Sequence, residues 1–274
     1  MSLSVIIPAC NEGGYIDACL AALVASEGPQ VADVIVAANG CTDDTVARAQ
    51  AHAPAFAARG WTLTVLDLPA LGKMAALDAG DDAAALAARA YLDADVIVSP
   101  ALMNQIDTAL AAAPALYVSG TPVVTARGRT SRAFARFWTR LPFVVDGVPG
   151  FGLYAVNAAG RARWGRFPPI ISDDTYVRVH FAPHERTRVD GTYRWPLVEG
   201  FGRLVRVRRR QDQGVSELET LAPDLMVNEG KASPGKSWLI RQALRDPEAF
   251  AVYAAVKLAV RAGWGRQAGW VRGR

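Results

Sequence analysis

The 274-residue chain has little cysteine and little histidine, with three of each. Cys10, Cys19 and Cys41 are odd in number and close in sequence. They predict neither a disulfide framework nor a thiolate metal site, but free thiols in a reducing compartment. No apolar run reaches the roughly 20 residues that a membrane-spanning helix needs. Phe250 to Val260 comes nearest and is broken by Lys257. The N-terminus shows no basic region followed by an apolar region and a cleavage site, so no secretion signal is expected and a cytoplasmic location is. No Gly-x-Gly-x-x-Gly follows the first predicted strand, which argues against a dinucleotide oxidoreductase. A glycine-rich, arginine-containing triphosphate loop is also missing, which argues against a nucleotidyltransferase. Basic residues are scarce at one end. Residues 1–126 hold 4 basic and 13 acidic side chains, and residues 127–274 hold 26 basic and 13 acidic. The net charge of +4 hides this asymmetry. The acidic half suits metal binding, and the basic half suits an anionic surface or anionic substrate parts.

The composition, 51% hydrophobic and 20% charged, is that of an ordered protein with a substantial core. Strand-like and helix-like segments alternate in the first half. Ser4 to Pro8 reads as a buried strand, Tyr15 to Ala25 as a helix and Asp33 to Ala38 as a strand. Thr42 or Asp43 is placed to cap the helix that follows. Leu63 to Leu68 reads as a strand, Gly72 to Ala90 as largely helical, and Tyr91 to Asp93 ends a fourth strand. This alternation predicts an α/β fold with a mostly parallel central sheet flanked by helices, its ligands at the carboxyl ends of the strands. Further on, Leu116 to Thr125 reads as a strand and Arg129 to Leu141 as an amphipathic helix. Gly150 to Val156 reads as a turn entering a strand. Arg203 to Arg208 reads as an exposed or edge strand, and Pro234 to Val260 as one or two helices. No internal repeat or low-complexity linker interrupts the chain.

Asp93 and Asp95 close the run Ala90-Tyr91-Leu92-Asp93-Ala94-Asp95. Two carboxylates two residues apart on an extended backbone point to the same side and repel unless a cation lies between them. A hard divalent cation would relieve that repulsion and also bind a diphosphate.

Four segments in order, Val5 to Glu12, Asn39 to Thr45, Gly72-Lys73 and Asp93-Ala94-Asp95, resemble the family 2 glycosyltransferases of the GT-A fold. The likeness returns near Gly150 and at Asp173-Asp174. Each motif alone is weak; the ordered set is specific. The resemblance implies a Rossmann-like GT-A domain over residues 1–232 and a peripheral helical segment over 233–274. Within that domain, 1–100 would bind the nucleotide and 101–232 the acceptor. It also implies an inverting, single-sugar transferase that uses a nucleotide-diphosphate sugar, with UDP as the default nucleotide, and Mn²⁺ or Mg²⁺.

On this resemblance Pro8, Ala9, Asn11 and Glu12 close over the base and ribose, and Asn39 and Asp43 belong to the second nucleotide-contacting loop. Asn39 stands where many members have aspartate. Lys73 meets nucleotide or phosphate, Asp93 supports the sugar or ribose, and Asp95 ligates the metal. Asp174 is the expected catalytic base and Asp173 the second candidate, because an acceptor hydroxyl needs a carboxylate to take its proton. Gly150, Phe151 and Gly152 form the acceptor wall. Each motif also has a plain structural reading. Asn11-Glu12 can simply turn the chain, Ser172 can cap a helix with Asp173 and Asp174 in its first turn, and Gly150 to Gly152 can be an ordinary turn.

Processive members of the family carry Gln-x-x-Arg-Trp near Arg206, Arg208, Arg209, Arg210 and Gln211; its absence here argues for transfer of one sugar. One of these arginines is a candidate partner for the diphosphate. A downstream His180 or His184 completes the metal site in some GT-A enzymes, although a core or surface histidine is the commoner fate. Arg129, Arg132, Arg136 and Arg140 share one stripe of a helix, with Phe134, Phe137, Trp138 and Leu141 on the other. With Trp238, Trp264 and Trp270 they suggest peripheral contact with the inner face of a membrane, although an aromatic face packed into the core accounts for the helix equally. The expected partners are a nucleotide-sugar donor and a glycan or lipid-linked acceptor, with no nucleic acid. A second class of function, a catalytically inactive nucleotide-sugar-binding or scaffold protein of the same fold, would bind donor without turnover.

Overall fold

A computed structural model describes residues 2–112, 114–231 and 233–264. In chain order its elements begin β1 (Ser2–Ala9), α1 (Ile16–Val24), β2 (Val31–Asn39), α2 (Thr45–Ala51), α3 (Ala53–Ala58), β3 (Thr62–Leu68), α4 (Lys73–Ala83), β4 (Ala88–Leu92), β5 (Ile97–Val98) and α5 (Leu102–Leu110). They continue with β6 (Tyr117–Thr125), α6 (Arg129–Trp138), α7 (Pro142–Val145), β7 (Leu153–Val156), α8 (Ala158–Arg161) and α9 (Asp173–Val179). A 3-10 turn (Pro183–Glu185), β8 (Arg186–Pro196), α10 (Phe201–Leu221), a 3-10 segment (Pro223–Asn228), α11 (Lys236–Arg245) and α12 (Pro247–Arg261) complete the chain. Two compact units emerge, one of residues 1–123 with 150–195 and one of 124–149 with 196–274. The second unit gathers chain from both sides of position 232.

The first unit is built on an eight-stranded sheet of order β3-β2-β1-β4-β7-β6-β8-β5. The first four strands run parallel, with Ala9 opposite Ala38 and Ile6 opposite Tyr91. β7 is antiparallel to both β4 and β6, and β5 is antiparallel to β8. Both faces of β1 are covered, which is why Leu3, Val5, Ile6 and Ile7 are all fully buried and the strand reads as continuous rather than alternating. Leu3, Val5 and Ile7 join Ile16, Leu20 and Leu23 of α1 in the core.

Four expectations are corrected. The helix expected to run from Gly72 to Ala90 ends at Ala83. There Asp33 accepts from the Ala85 amide at 2.8 Å and Ser4 from the Leu86 amide at 3.1 Å, turning the chain into β4. Arg203 to Arg208 is not a strand but the start of α10. Its buried positions, Leu204, Val205, Gly214 and Leu218, follow helical spacing, and Arg208 pairs with Asp212 one turn on. β8, just before it, lies between β6 and β5 in the sheet. The N-cap position of α2 is Asp44 rather than Thr42 or Asp43, although the Asp43 carboxylate still accepts from the Thr45 amide that opens the helix. Finally, Asp93 to Asp95 is a tight turn rather than extended backbone, closed by the Val96 amide donating to the Asp93 carbonyl at 3.1 Å.

In the second unit three of the four stripe arginines of α6 are engaged, and Arg132 is exposed. Arg136 and Arg140 meet Asp246, and Arg129 and Arg136 meet Glu248. The opposite stripe is core: Phe137 stacks on Tyr253 at 4.3 Å and meets Trp238 edge-on at 5.7 Å. Trp264 packs against Phe201. Trp270 lies outside the described residues. Among the described residues no helix is long and apolar enough to cross a membrane.

Candidate active site

The strand order sets β2, β1 and β4 side by side, so the loops after Ala9, Asn39 and Leu92 leave the same edge of the sheet. The loop after β1 turns at Asn11, whose φ is 56°. Asn11 accepts from the Thr42 amide at 2.7 Å, the Glu12 amide donates to the Thr45 hydroxyl at 2.8 Å, and the Gly13 amide donates to Asp43 at 3.1 Å. Asp43 also accepts from the Thr45 amide at 3.1 Å. The Pro8 to Glu12 and Asn39 to Asp44 loops are thus one hydrogen-bonded surface. Pro8 is half-exposed and Ala9 is buried at its base. Asn39 is buried, and its Oδ1 accepts from the Leu71 amide at 2.8 Å, which fixes the chain two residues before Lys73.

Lys73, at the start of α4, is the hub of the acidic residues. Its Nζ lies 3.0 Å from Asp93 Oδ1 and 2.9 Å from Asp173 Oδ1. Burial disfavours its charge, but the two carboxylates outweigh burial and hold the ammonium well above its usual pKa. The cation expected between acids is therefore, on the Asp93 side, a lysine of the chain itself. Asp173 is buried at the start of α9 and also accepts from the Tyr154 hydroxyl at 3.1 Å. Asp174 follows it, and its carboxyl is pushed up to about 6 by burial first and the Asp173 charge second, against the pull of Lys73. Ser172 stands at the N-cap position of α9 without a side-chain capping bond.

The Gly150-Phe151-Gly152 turn is tied to the same cluster. The Asp93 amide donates to the Gly152 carbonyl at 2.9 Å, and the Tyr193 hydroxyl donates to the Phe151 carbonyl at 2.8 Å. Phe151 packs on Trp195. Gly150 and Gly152 have φ of 71° and 78°, a backbone that favours glycine. A Cβ on Gly150 would stand 1.7 Å from the Tyr117 hydroxyl.

The fold therefore brings Lys73, Asp93, Asp173, Asp174 and the backbone of Gly152 together. It groups Asn11, Glu12 and Asp43 in the neighbouring loop surface. His180 is drawn elsewhere: its Nδ1–H donates to the Tyr176 carbonyl at 2.8 Å, and its ring packs against Trp164 and Tyr176. His184 lies in the 3-10 turn. Arg206 and Arg208 to Arg210 all lie on α10, where Arg208 meets Asp212 and Arg209 donates to the Trp264 carbonyl. The reading of residues missed Tyr154. Its signal was its place on β7, two residues after the Gly150 to Gly152 turn.

Asp95 is buried at 6% exposure. Among the described residues no group of three or more His, Cys, Asp or Glu could hold a metal ion. A single buried carboxylate still fits a hard cation of the magnesium type, which takes one or two carboxylates and completes its shell with substrate phosphates and water.

Comparison with known proteins bears on the family and the fold. The family model for glycosyl transferase family 2 matches residues 4–164. The chain belongs to that family. No curated protein sequence matches it. Among solved structures, the mannosyltransferase PcManGT of Pyrobaculum calidifontis, in complex with GDP-Man and Mn²⁺, is similar at TM-score 0.61 and 21% identity, covering 97% of this chain and 76% of that one. S. aureus TarS 1–349 in complex with UDP is similar at 0.53 and 12% identity, covering 100% and 95%. Glucosyl-3-phosphoglycerate synthase from Mycobacterium tuberculosis, with Mn²⁺, UDP and glucosyl-3-phosphoglycerate, is similar at 0.54 and 19%, covering 80% and 79%. At these identities the likeness is one of fold, and that fold is the GT-A fold of glycosyltransferases.

Proposed function

We propose that the chain is an inverting hexosyltransferase that moves a single sugar from a nucleotide-diphosphate sugar, UDP-linked by default, to an acceptor hydroxyl. The observation that carries this reading is the bridge of Lys73 between Asp93 of the donor-side acid motif and Asp173 of the acceptor-side pair, beside Asp174. In this reading Pro8, Ala9, Asn11, Glu12, Asn39 and Asp43 line the base and ribose, and Gly150 to Gly152 wall the acceptor. Asp174 takes the acceptor proton as the oxygen attacks the anomeric carbon. The new carbon–oxygen bond forms on one face while the bond to the diphosphate breaks on the other, which inverts the centre. Asp173 and Asp93 are both engaged by the Lys73 ammonium, which leaves Asp174 as the carboxylate of the cluster that faces no direct ion pair with it. Asp95 would hold Mn²⁺ or Mg²⁺, which when bound supplies charge neutralisation for the departing diphosphate. The main contributions of the protein are alignment and electrostatic stabilisation.

The same proposal keeps a cytoplasmic enzyme in peripheral contact with the inner membrane face, acting on a glycan or lipid-linked acceptor. The test is a screen of nucleotide sugars for hydrolysis with Mn²⁺ or Mg²⁺, followed by acceptors with the active donor. Turnover with inverted anomeric configuration is expected. Donor binding by calorimetry with no turnover on any acceptor would instead support the inactive binding protein.

A further inference from the structure

The membrane contact suggested by α6 is largely neutralised, since three of its four stripe arginines, Arg129, Arg136 and Arg140, face Asp246 and Glu248. A different helix of the same unit carries the features that α6 has lost. On α11, Ile240 and Leu244 stand one turn apart and are 61% and 79% exposed. Beside them Arg241 and Arg245 form a second exposed row, and Lys236 is exposed at the start of the helix. Among the described residues none of these three cations is in an ion pair. From Gly230 to Arg245 the chain holds no acidic residue. The opposite side of α11 is anchored, with Trp238 against Phe137 and Gln242 buried, so the outward face is fixed.

We propose that α11 lays this Ile240–Leu244 face on an anionic phospholipid surface. At ten residues the helix is far too short to span a bilayer and is suited to lying in the headgroup plane. The two aliphatic side chains enter the acyl boundary while the flanking cations meet lipid phosphates. A second copy of the chain is a poorer occupant. A twofold interface would set Arg241 and Arg245 against the same residues of the other copy, and like charges repel. The inference deepens the membrane contact proposed above and uses none of the transferase chemistry, so failure of binding and failure of turnover are separate results.

The test is co-sedimentation of the full chain with phosphatidylcholine vesicles, with and without phosphatidylglycerol. Binding is expected only to the anionic vesicles and is lost at high salt. Arg241→Gln with Arg245→Gln weakens partitioning about fivefold for each cation removed. Ile240→Ser with Leu244→Ser weakens it roughly tenfold or more. All four side chains are exposed, so the variants should keep the melting temperature of the parent, which is measured alongside. The proposal is overturned if the parent ignores anionic vesicles or if both double variants bind as the parent does. It is equally overturned if the Ile240–Leu244 variant instead abolishes a concentration-dependent dimer while vesicle binding is unchanged.

Discussion

Lys73 Nζ and Asp173 Oδ1 lie 2.9 Å apart, joining the first residue of α4 to the first residue of α9. With Asp93 on the same ammonium, one cation serves two carboxylates that would otherwise repel. The neighbouring Asp174 then carries the strain of the cluster, as the acid whose ionisation burial and Asp173 oppose.

Lys73→Met removes the shared cation. The cluster should lose roughly 1–3 kcal/mol of stability, the scale of hydrogen bonds to charged groups. Because Lys73 favours the ionised form of Asp174, its loss should move the acidic limb of the kcat/KM profile to higher pH. Thermal melts and a pH–rate profile check both effects, and an unmoved limb would refute the coupling.

Asp174→Asn separates function from stability. The folded carboxyl sits at about 6, above its unfolded value of 3.8, so the folded chain holds this proton more tightly. Stability associated with the group is present below pH 4 and is lost as pH rises through 6. The neutral amide should therefore stabilise the chain at pH 7 by roughly 1–2 kcal/mol once solvent screening is allowed for, and raise Tm accordingly. Transfer should be abolished while nucleotide binding by calorimetry is spared. In the parent, activity should fall on acidification below about pH 6.

Asp95→Ala should abolish metal-dependent turnover and weaken nucleotide binding in the presence of Mn²⁺ far more than in its absence. Paired titrations with and without the ion measure the difference. Equal losses in both would deny Asp95 its role.

Tyr154→Phe deletes the hydroxyl that donates to Asp173 at 3.1 Å. A cost of about 1 kcal/mol is expected from the lost bond. If the bond positions Asp173 for chemistry, kcat should drop severalfold with little change in KM. A purely structural role would lower Tm alone.

Gly150→Ala should be among the most damaging small substitutions. The residue sits at φ 71°, and the added methyl would collide with the Tyr117 hydroxyl at 1.7 Å. Tyr117→Phe in the same chain should recover part of the loss by removing the oxygen, leaving a close approach of 2.9 Å to the ring carbon and a backbone strain of about 1–2 kcal/mol. A double-mutant cycle on Tm reads the recovery.

Much of the site was legible because strand ends and turn residues announce themselves locally. Asn11, Asn39, Asp93 and Gly150 all mark places where a buried strand begins or ends. Arg203 to Arg208 misled because six residues that mix Arg with Leu and Val fit a strand as well as one face of a helix; only Gly214 and Leu218 settle the period. The arginines of α6 misled because their partners, Asp246 and Glu248, lie on the far side of more than a hundred residues of chain.

Alternating apolar segments, their lengths and the order of the acidic motifs were enough to define the α/β class, the family and the residues to watch, because periodicity and turn chemistry are local properties. Folding decided which charges meet. Lys73 reads in the chain as a solvated lysine at a helix start, and only the β1–β4–β7 neighbourhood brings Asp93, Asp173 and Tyr154 around it. Coulomb and hydrogen-bond energies depend on distance through space, and that distance is set by packing rather than by position along the chain.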